Sequence, residues 1–370
     1  CGIQQVTGMP MKYSESYRGK RVLVTGDTGF KGSWLSFWLQ SMEAQVSGYA
    51  LPPEYEQGPF VGGKLSDLIR HTDGDVRDYE RFARAVFEAA PDVIFHLAAQ
   101  PLVVESYNTP RETMDTNIMG TVNLLEAVRR AGKPCAVVVI TSDKCYENRE
   151  TERGYIESDP MGGHDVYSAS KGCAELVVSA YRRSFFSKSE IHAATARAGN
   201  VIGPGDWAAN RIVPDCIRSL AAGEPIRVRN PQSVRPWQHV LEPLSGYLLL
   251  GSLLLKDNVC ADAWNFGPEA EAARTVGDLV DRVIACWGSG SRVFPKISNA
   301  VHEAGLLTLN IDKAEKKLGW HPVWNFDQTV SHTVDGYRKM ISASGNPVAI
   351  RGVMMREIAA YEEGQRLRKP

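Results

Sequence analysis

The sequence predicts an α/β protein: a doubly wound parallel sheet with a smaller, partly discontinuous substrate domain towards the C-terminus. Three observations predict it. Short, nearly continuous apolar runs alternate with helical spacing over the first two hundred residues, the rhythm of parallel strands covered on both faces. A strand, a glycine turn and a helix follow one another from Arg21 to Leu39. After Asn200 the rhythm breaks at Gly203-Pro204-Gly205, and short helices mix with brief extended pieces carrying Arg and Trp.

The first strand is Arg21-Val22-Leu23-Val24-Thr25, and Ser33 to Leu39 continues with helical spacing. Between them lies Gly26-Asp27-Thr28-Gly29-Phe30-Lys31-Gly32. Gly26 permits the tight turn, Gly29 lets a pyrophosphate reach the backbone, and Gly32 lets the helix pack close to the strand. Phosphate charge then meets unpaired N–H groups at the positive helix end. The unit is therefore Rossmann-type, with G-x-x-G-x-x-G spacing. Gln45 to Tyr49 is the second strand, Asp73-Gly74-Asp75-Val76 ends the third, and Asp92 to Ala99 forms the fourth. Ala136 to Thr141 is the fifth and Ile191 to Arg197 the sixth. Helices fit at Arg81 to Ala89, Thr113 to Arg130 and Val166 to Phe186.

These elements divide the chain into a nucleotide-binding domain at 18–200, with 238–267 returning to it, and a substrate-binding domain made of 201–237 and 268–345. Residues 1–10 read as an upstream extension, with Met11 as a native start. The 370 residues, 43% of them hydrophobic, suffice for a sizeable core. Lys plus Arg number 42 and Asp plus Glu 43, a formal charge of -1. No bulk field draws the chain to nucleic acid or membrane, so an anionic ligand must be caught locally. No run approaches the ~18 apolar residues of a spanning helix, and the chain reads as soluble and cytoplasmic. Seven cysteines without a C-x-x-C pair, and histidines without H-x-x-x-H, predict free thiols and no structural metal.

Tyr167 and Lys171 stand four residues apart in Asp-Val-Tyr-Ser-Ala-Ser-Lys-Gly, one above the other on a helix. A phenol titrates near ~10, and a fixed cation with an oxidised nicotinamide nearby favours its phenolate, so the pair is suited to general-base work. By itself the spacing arises often by chance on a surface helix, and its weight comes from the company it keeps. Ligands in open α/β sheets sit beyond the strands' carboxyl ends. That places Gly26 to Gly32, Asp75-Val76, Ala98-Ala99-Gln100 and Ser142-Asp143-Lys144 along one rim, where Tyr167 and Lys171 arrive. His96 reads as a packed strand-end histidine. Trp207, Trp237 and Trp264 fit core packing as well as a base or sugar.

The chain is similar to the extended short-chain dehydrogenases/reductases that act on nucleotide sugars, and within them resembles the CDP-glucose 4,6-dehydratases. The resemblance spans Gly19 to about Trp324. Its carriers are Thr-Gly-Asp-Thr-Gly-Phe-Lys-Gly-Ser-Trp-Leu at 25–35, His-Leu-Ala-Ala-Gln-Pro-Leu-Val at 96–103, Ile-Thr-Ser-Asp-Lys-Cys-Tyr at 140–146, Pro-Met-Gly-Gly at 160–163, Arg-Ala-Gly-Asn-Val-Ile-Gly at 197–203 and Arg-Pro-Trp-Gln-His-Val-Leu at 235–241. It implies NAD as cofactor, held by Gly26, Thr28, Gly29, Phe30, Lys31 and Gly32. Asp75 and Val76 would border the adenine, Leu97, Ala98 and Ala99 the pyrophosphate and ribose, and Tyr167 and Lys171 the nicotinamide end. Ser142, Asp143, Lys144, Tyr167 and Lys171 form the implied catalytic set, and Gln100, Asn200, Arg211 and Arg235 the substrate contacts. The implied reaction converts CDP-glucose to its 4-keto-6-deoxy product and water without net consumption of NAD.

Many relatives carry Thr-Asp-Glu where this chain has Ser142-Asp143-Lys144. Lys144 is then either a base with a depressed pKa or a cation holding a developing enolate. The acid expected about twenty residues past the glycines is missing, since strand two ends Tyr49-Ala50-Leu51. The resemblance also implies a homodimer or homotetramer joined through the 113–130 and 166–186 helices. A dTDP- or GDP-sugar dehydratase or a UDP-sugar 4-epimerase would share Tyr167 and Lys171. An epimerase needs no acid at Asp143, and a non-catalytic NAD-binding sensor would be expected to lose the pair.

Overall fold

The apolar runs pair side by side as parallel strands. The computed structural model describes residues 13–151, 153–295 and 306–368, so the expected extension at 1–10 and the start at Met11 lie outside the described residues. Strands β1 (Arg21–Thr25), β2 (Gln45–Ala50), β3 (Arg70–Asp73), β4 (Val93–His96), β5 (Cys135–Ile140), β6 (Ile191–Ala198) and β7 (Ala263–Phe266) form one sheet. Their order is β7-β6-β5-β4-β1-β2-β3, every pairing parallel. The order reverses between β1 and β4, and ligands bind beyond the strand ends at such a switch point.

The helices that position the site are α1 (Phe30–Ser41), α2 (Tyr79–Ala89), α3 (Gly120–Ala131), α4 (Val166–Tyr181), α5 (Ile212–Ala222), α6 (Leu241–Leu254), α7 (Val276–Trp287), α8 (Phe326–Ser342) and α9 (Pro347–Leu367). Alternate residues of the central strands enter opposite cores. Val22 and Val24 of β1 meet Trp34 and Trp38 of α1 and Leu244 and Leu248 of α6, whereas Leu23 meets Phe82, Leu124 and Val128 across the sheet. Helix α6 is buried on nearly every side, so its apolar residues lie all round it rather than in one stripe. A third core, with Ile217 of α5, Val280 of α7 and Tyr337 of α8, holds the smaller unit together.

Two features depart from the expected boundaries. Asp75 and Val76 lie beyond β3 because the Asp75 carboxylate accepts from the Arg77 N–H at 2.9 Å and closes a turn. The 113–130 helix contains a π-helical turn at Asp115–Met119, from which Asn117 donates to the Gln100 carbonyl and to Ser170 Oγ of α4. The 166–186 helix likewise ends in a π-helical turn, Arg182–Phe186.

The 268–345 stretch is not one continuous piece of the smaller unit. Ile311, Leu318, Trp320 and Trp324 rejoin the larger core, together with Met354 and Tyr361 of α9. Buried Glu242 of α6 explains this return: it accepts from the N–H groups of Val323 and Trp324 and from the Tyr361 hydroxyl at 2.6 Å. Among the described residues no helix is long and apolar enough to cross a membrane, the six cysteines are free, and no His/Cys/Asp/Glu cluster could hold a metal ion.

Candidate active site

The glycine turn has the shape a dinucleotide pyrophosphate requires. Gly26 has φ +75°, and a Cβ there would lie 2.8 Å from the Ala98 nitrogen, so the β4 loop passes directly beneath it. A Cβ on Gly32 would lie 2.0 Å from the Gly26 carbonyl, so only glycine lets α1 begin this close to β1. Helix α1 starts after Gly29 with no side-chain cap, leaving its first N–H groups for a ligand. Thr28 donates its hydroxyl to the Leu51 carbonyl at 2.9 Å, tying the turn to the end of β2. The nearby acid Asp27 is buried and turned away, its carboxylate against Gly48 and 2.7 Å from His71 Nδ1.

Asp75 is held by Arg77 in a bidentate pair that keeps its carboxyl below the usual range. Val76 is buried, with its carbonyl accepting from Asn123. The Ala98 N–H donates to Thr25 Oγ1 at 3.2 Å, and the N–H of Leu97 to the Thr25 carbonyl at 3.1 Å. His96 packs as expected: it is buried, 2.8 Å from Thr25 Oγ1, and burial drives its pKa down to about 3.

Beyond β5 the chain turns sharply, and a cavity of about 460 Å³ opens between the sheet and the smaller unit. Ser142, Asp143, Lys144, Tyr167, Asn200, Arg211 and Arg235 all line it. Ser142 Oγ donates to Asp143 Oδ1 at 2.9 Å and shares a hydrogen bond with Tyr167. A Cβ on Gly199 would lie 2.5 Å from Asp143 Oδ2, so that glycine makes room for the carboxylate. Lys171 Nζ donates to the Ile140 carbonyl at 3.4 Å and stands 6.0 Å from the centre of the Tyr167 ring.

The phenol's electrostatics differ from the simple expectation of a cation-lowered pKa. Burial pushes Tyr167 up to about 12; Ser142 and Arg211 pull it down, Asp143 adds to the rise, and Lys171 is not among the causes. Lys171 is itself lowered to about 8 by burial, against the opposing charges of Cys145 and Glu175.

Gln100 does not reach the cavity. Its amide donates to the Leu102 carbonyl and Thr113 Oγ1 and accepts from the Leu102 N–H, so its polar atoms shape the turn after β4. Of the three tryptophans, Trp237 alone lines the cavity, Trp207 donates to the Gln57 carbonyl and Trp264 is buried in the core.

The sequence reading missed Arg227, Arg229 and Asn230, all in the cavity wall. Arginines two apart in an extended run share a face, and that periodicity was available as a signal. Cations exceed acids along the wall: Lys31, Lys144, Arg211, Arg227, Arg229 and Arg235 against Asp143, Asp206 and Asp215. Asp206 is taken by Arg211 at 2.9 Å and Asp215 by Arg218. In a chain of formal charge -1, this excess of cations is local to the cavity wall.

A switch-point glycine turn, a helix carrying tyrosine and lysine one turn apart, and a serine bonded to that tyrosine define an extended short-chain dehydrogenase/reductase. The chain belongs to the GDP-mannose 4,6 dehydratase family, whose model matches residues 23–333. It is 47% identical over 351 residues to the CDP-glucose 4,6-dehydratase of Salmonella typhimurium, covering 93% of this chain and 97% of that protein. Among solved structures, an epimerase of Methanothermobacter thermautotrophicus superposes with a TM-score of 0.76 at 22% identity, covering 91% of this chain and 99% of that one. The dTDP-glucose 4,6-dehydratase of Bacillus anthracis in complex with NAD superposes with a TM-score of 0.72 at 23% identity, covering 86% and 96%. At these identities the two structures establish the fold.

Proposed function

We propose that the protein is an NAD-dependent hydro-lyase, a CDP-glucose 4,6-dehydratase that yields CDP-4-keto-6-deoxyglucose and water. The observation that carries this reading is the cavity, where Tyr167, Ser142 and Asp143 face a wall of arginines suited to a nucleotide diphosphate. The relative from Salmonella typhimurium supports the choice of CDP-glucose. Substrate binding would use Asn200, Arg211 and Arg235, with Arg227, Arg229 and Asn230 added to the expected set.

The cradle of Gly26, Gly29 and Gly32 fits NAD, which Thr28, Phe30, Lys31, Asp75, Val76, Leu97, Ala98, Ala99, Tyr167 and Lys171 would complete. When bound, NAD supplies reversible redox chemistry at carbons 4 and 6 of the sugar. Tyr167 takes the proton of the sugar 4-hydroxyl, steadied by Ser142, while Lys171 holds a positive charge one turn further along α4. The carbon 4 ketone acidifies the hydrogen on carbon 5. Asp143 gives a proton to the departing 6-hydroxyl, and the proton leaving carbon 5 passes to Lys144 acting as the base, whose positive charge then faces the enolate. Exposed Met119, Leu176 and Phe185 on the 113–130 and 166–186 segments support assembly with a second copy through those helices.

Incubation with CDP-, dTDP-, UDP- and GDP-glucose, each followed by mass spectrometry, tests the substrate. Loss of one water from CDP-glucose alone is the expected result, and turnover of another nucleotide sugar in preference overturns the assignment.

A further inference from the structure

Lys31 sits in the glycine turn, yet its side chain lines the large cavity beside Ser142, Tyr167 and Arg211. Among the described residues no carboxylate or carbonyl lies within hydrogen-bonding distance of its ammonium. The charges acting on it are those of Arg211 and Lys171, which repel it, and of Asp143 and Asp206, which attract it. None comes from Asp75 or Arg77 at the adenosine end. Arg211 and Asp206 belong to the 201–237 segment, Lys171 to α4, and Asp143 to the turn after β5. Asp206 is already paired with Arg211, and Asp143 accepts from Ser142. An unpartnered ammonium within reach of two other positive charges is unfavourable until an anion arrives.

We propose that the Lys31 ammonium is a direct contact for the diphosphate of the nucleotide sugar, while its backbone serves the glycine turn. The inference rests on reading this cavity as the nucleotide-sugar site and adds a specificity-determining residue to it. Burial, then Arg211 and Lys171, lower Lys31 to about 8, so the free site is partly discharged at mildly alkaline pH and a bound diphosphate restores the charge. Diphosphate affinity should therefore fall as pH rises through about 8, above the range in which the phosphate itself titrates, near ~6.

The test is calorimetric titration of CDP onto the NAD-loaded protein at about pH 7.5 and about pH 9, with NAD affinity measured separately. The parent should bind CDP up to roughly eightfold more weakly at the higher pH. Lys31→Met should weaken CDP binding at least about tenfold at the lower pH and reduce the pH slope. Lys31→Arg, whose charge does not titrate, should keep affinity within a few-fold and also reduce the slope. NAD affinity should change less than about threefold in either variant. A Met variant that binds CDP like the parent with an unchanged slope overturns the inference, and so does one that loses NAD and CDP affinity equally. If the parent binds NAD but no CDP at either pH, the reading of the cavity falls and the inference with it.

Discussion

Replacing Glu175 by methionine should destabilise the protein by about 3–5 kcal/mol, the cost typical of breaking a buried ion pair from one side. Glu175 lies one turn beyond Lys171 on α4. Its carboxylate accepts from Arg197 Nη2 at 2.8 Å, Thr141 Oγ1 at 2.5 Å and Thr195 Oγ1 at 2.7 Å. The side chains of Arg197 and Glu175 are 4% and 3% exposed, so water cannot replace either partner. Burial alone would raise the Glu175 pKa, but the Arg197 charge and the three hydrogen bonds outweigh it and hold the carboxyl low. Methionine keeps the length and leaves Arg197 with the Tyr146 hydroxyl and the Glu157 carbonyl as acceptors. Urea unfolding of the parent, both single variants and Glu175→Met/Arg197→Met measures the coupling. The double variant should lose at least about 2 kcal/mol less than the sum of the singles, because it leaves no charge stranded. A loss below about 1 kcal/mol for Glu175→Met, or additive singles, would refute the reasoning.

Tyr167→Phe should retain fold and NAD binding and lose at least about 10²-fold in turnover, the usual contribution of a positioned base; near-parental turnover would remove Tyr167 from its role. Asp143→Asn should slow elimination more than the first oxidation, so reduced nicotinamide should accumulate transiently in stopped-flow absorbance, and its absence would argue against the acid role. For His71, burial lowers the pKa, but hydrogen bonds and charges from Asp27 and then Asp73 outweigh it and raise it above the ordinary value. The contribution is thus full below the unfolded pKa of ~6.5 and is lost as pH rises through the higher folded value. His71→Gln should therefore flatten the decline of stability above pH ~6.5 in urea titrations, and an unchanged slope would contradict the assignment.

Local patterns carried most of the fold and the placement of several candidate site residues. The glycine turn, the Tyr167/Lys171 spacing and the Ser142-Asp143-Lys144 turn are each contained in a few neighbouring residues, and each lies where strand-end logic put it. What stayed illegible depends on contacts between distant segments. Gln100 looked available because its partners, Leu102 and Thr113, are determined only once the loop after β4 folds against the 110–119 segment. Arg227 and Arg229 gained meaning from facing the cavity, and Lys31 from meeting Arg211 nearly two hundred residues away. The return of α9 to the larger core rests on contacts such as Tyr361 with Glu242 and Arg351 with the Gly63 carbonyl, which no local period encodes.

The most direct test of the proposed chemistry uses CDP-glucose deuterated at carbon 4. An internal redox cycle predicts product carrying that deuterium on carbon 6, one water lost per turnover and no net reduction of NAD over many turnovers. Deuterium appearing in solvent, or stoichiometric accumulation of reduced NAD by the unmodified protein, would contradict it.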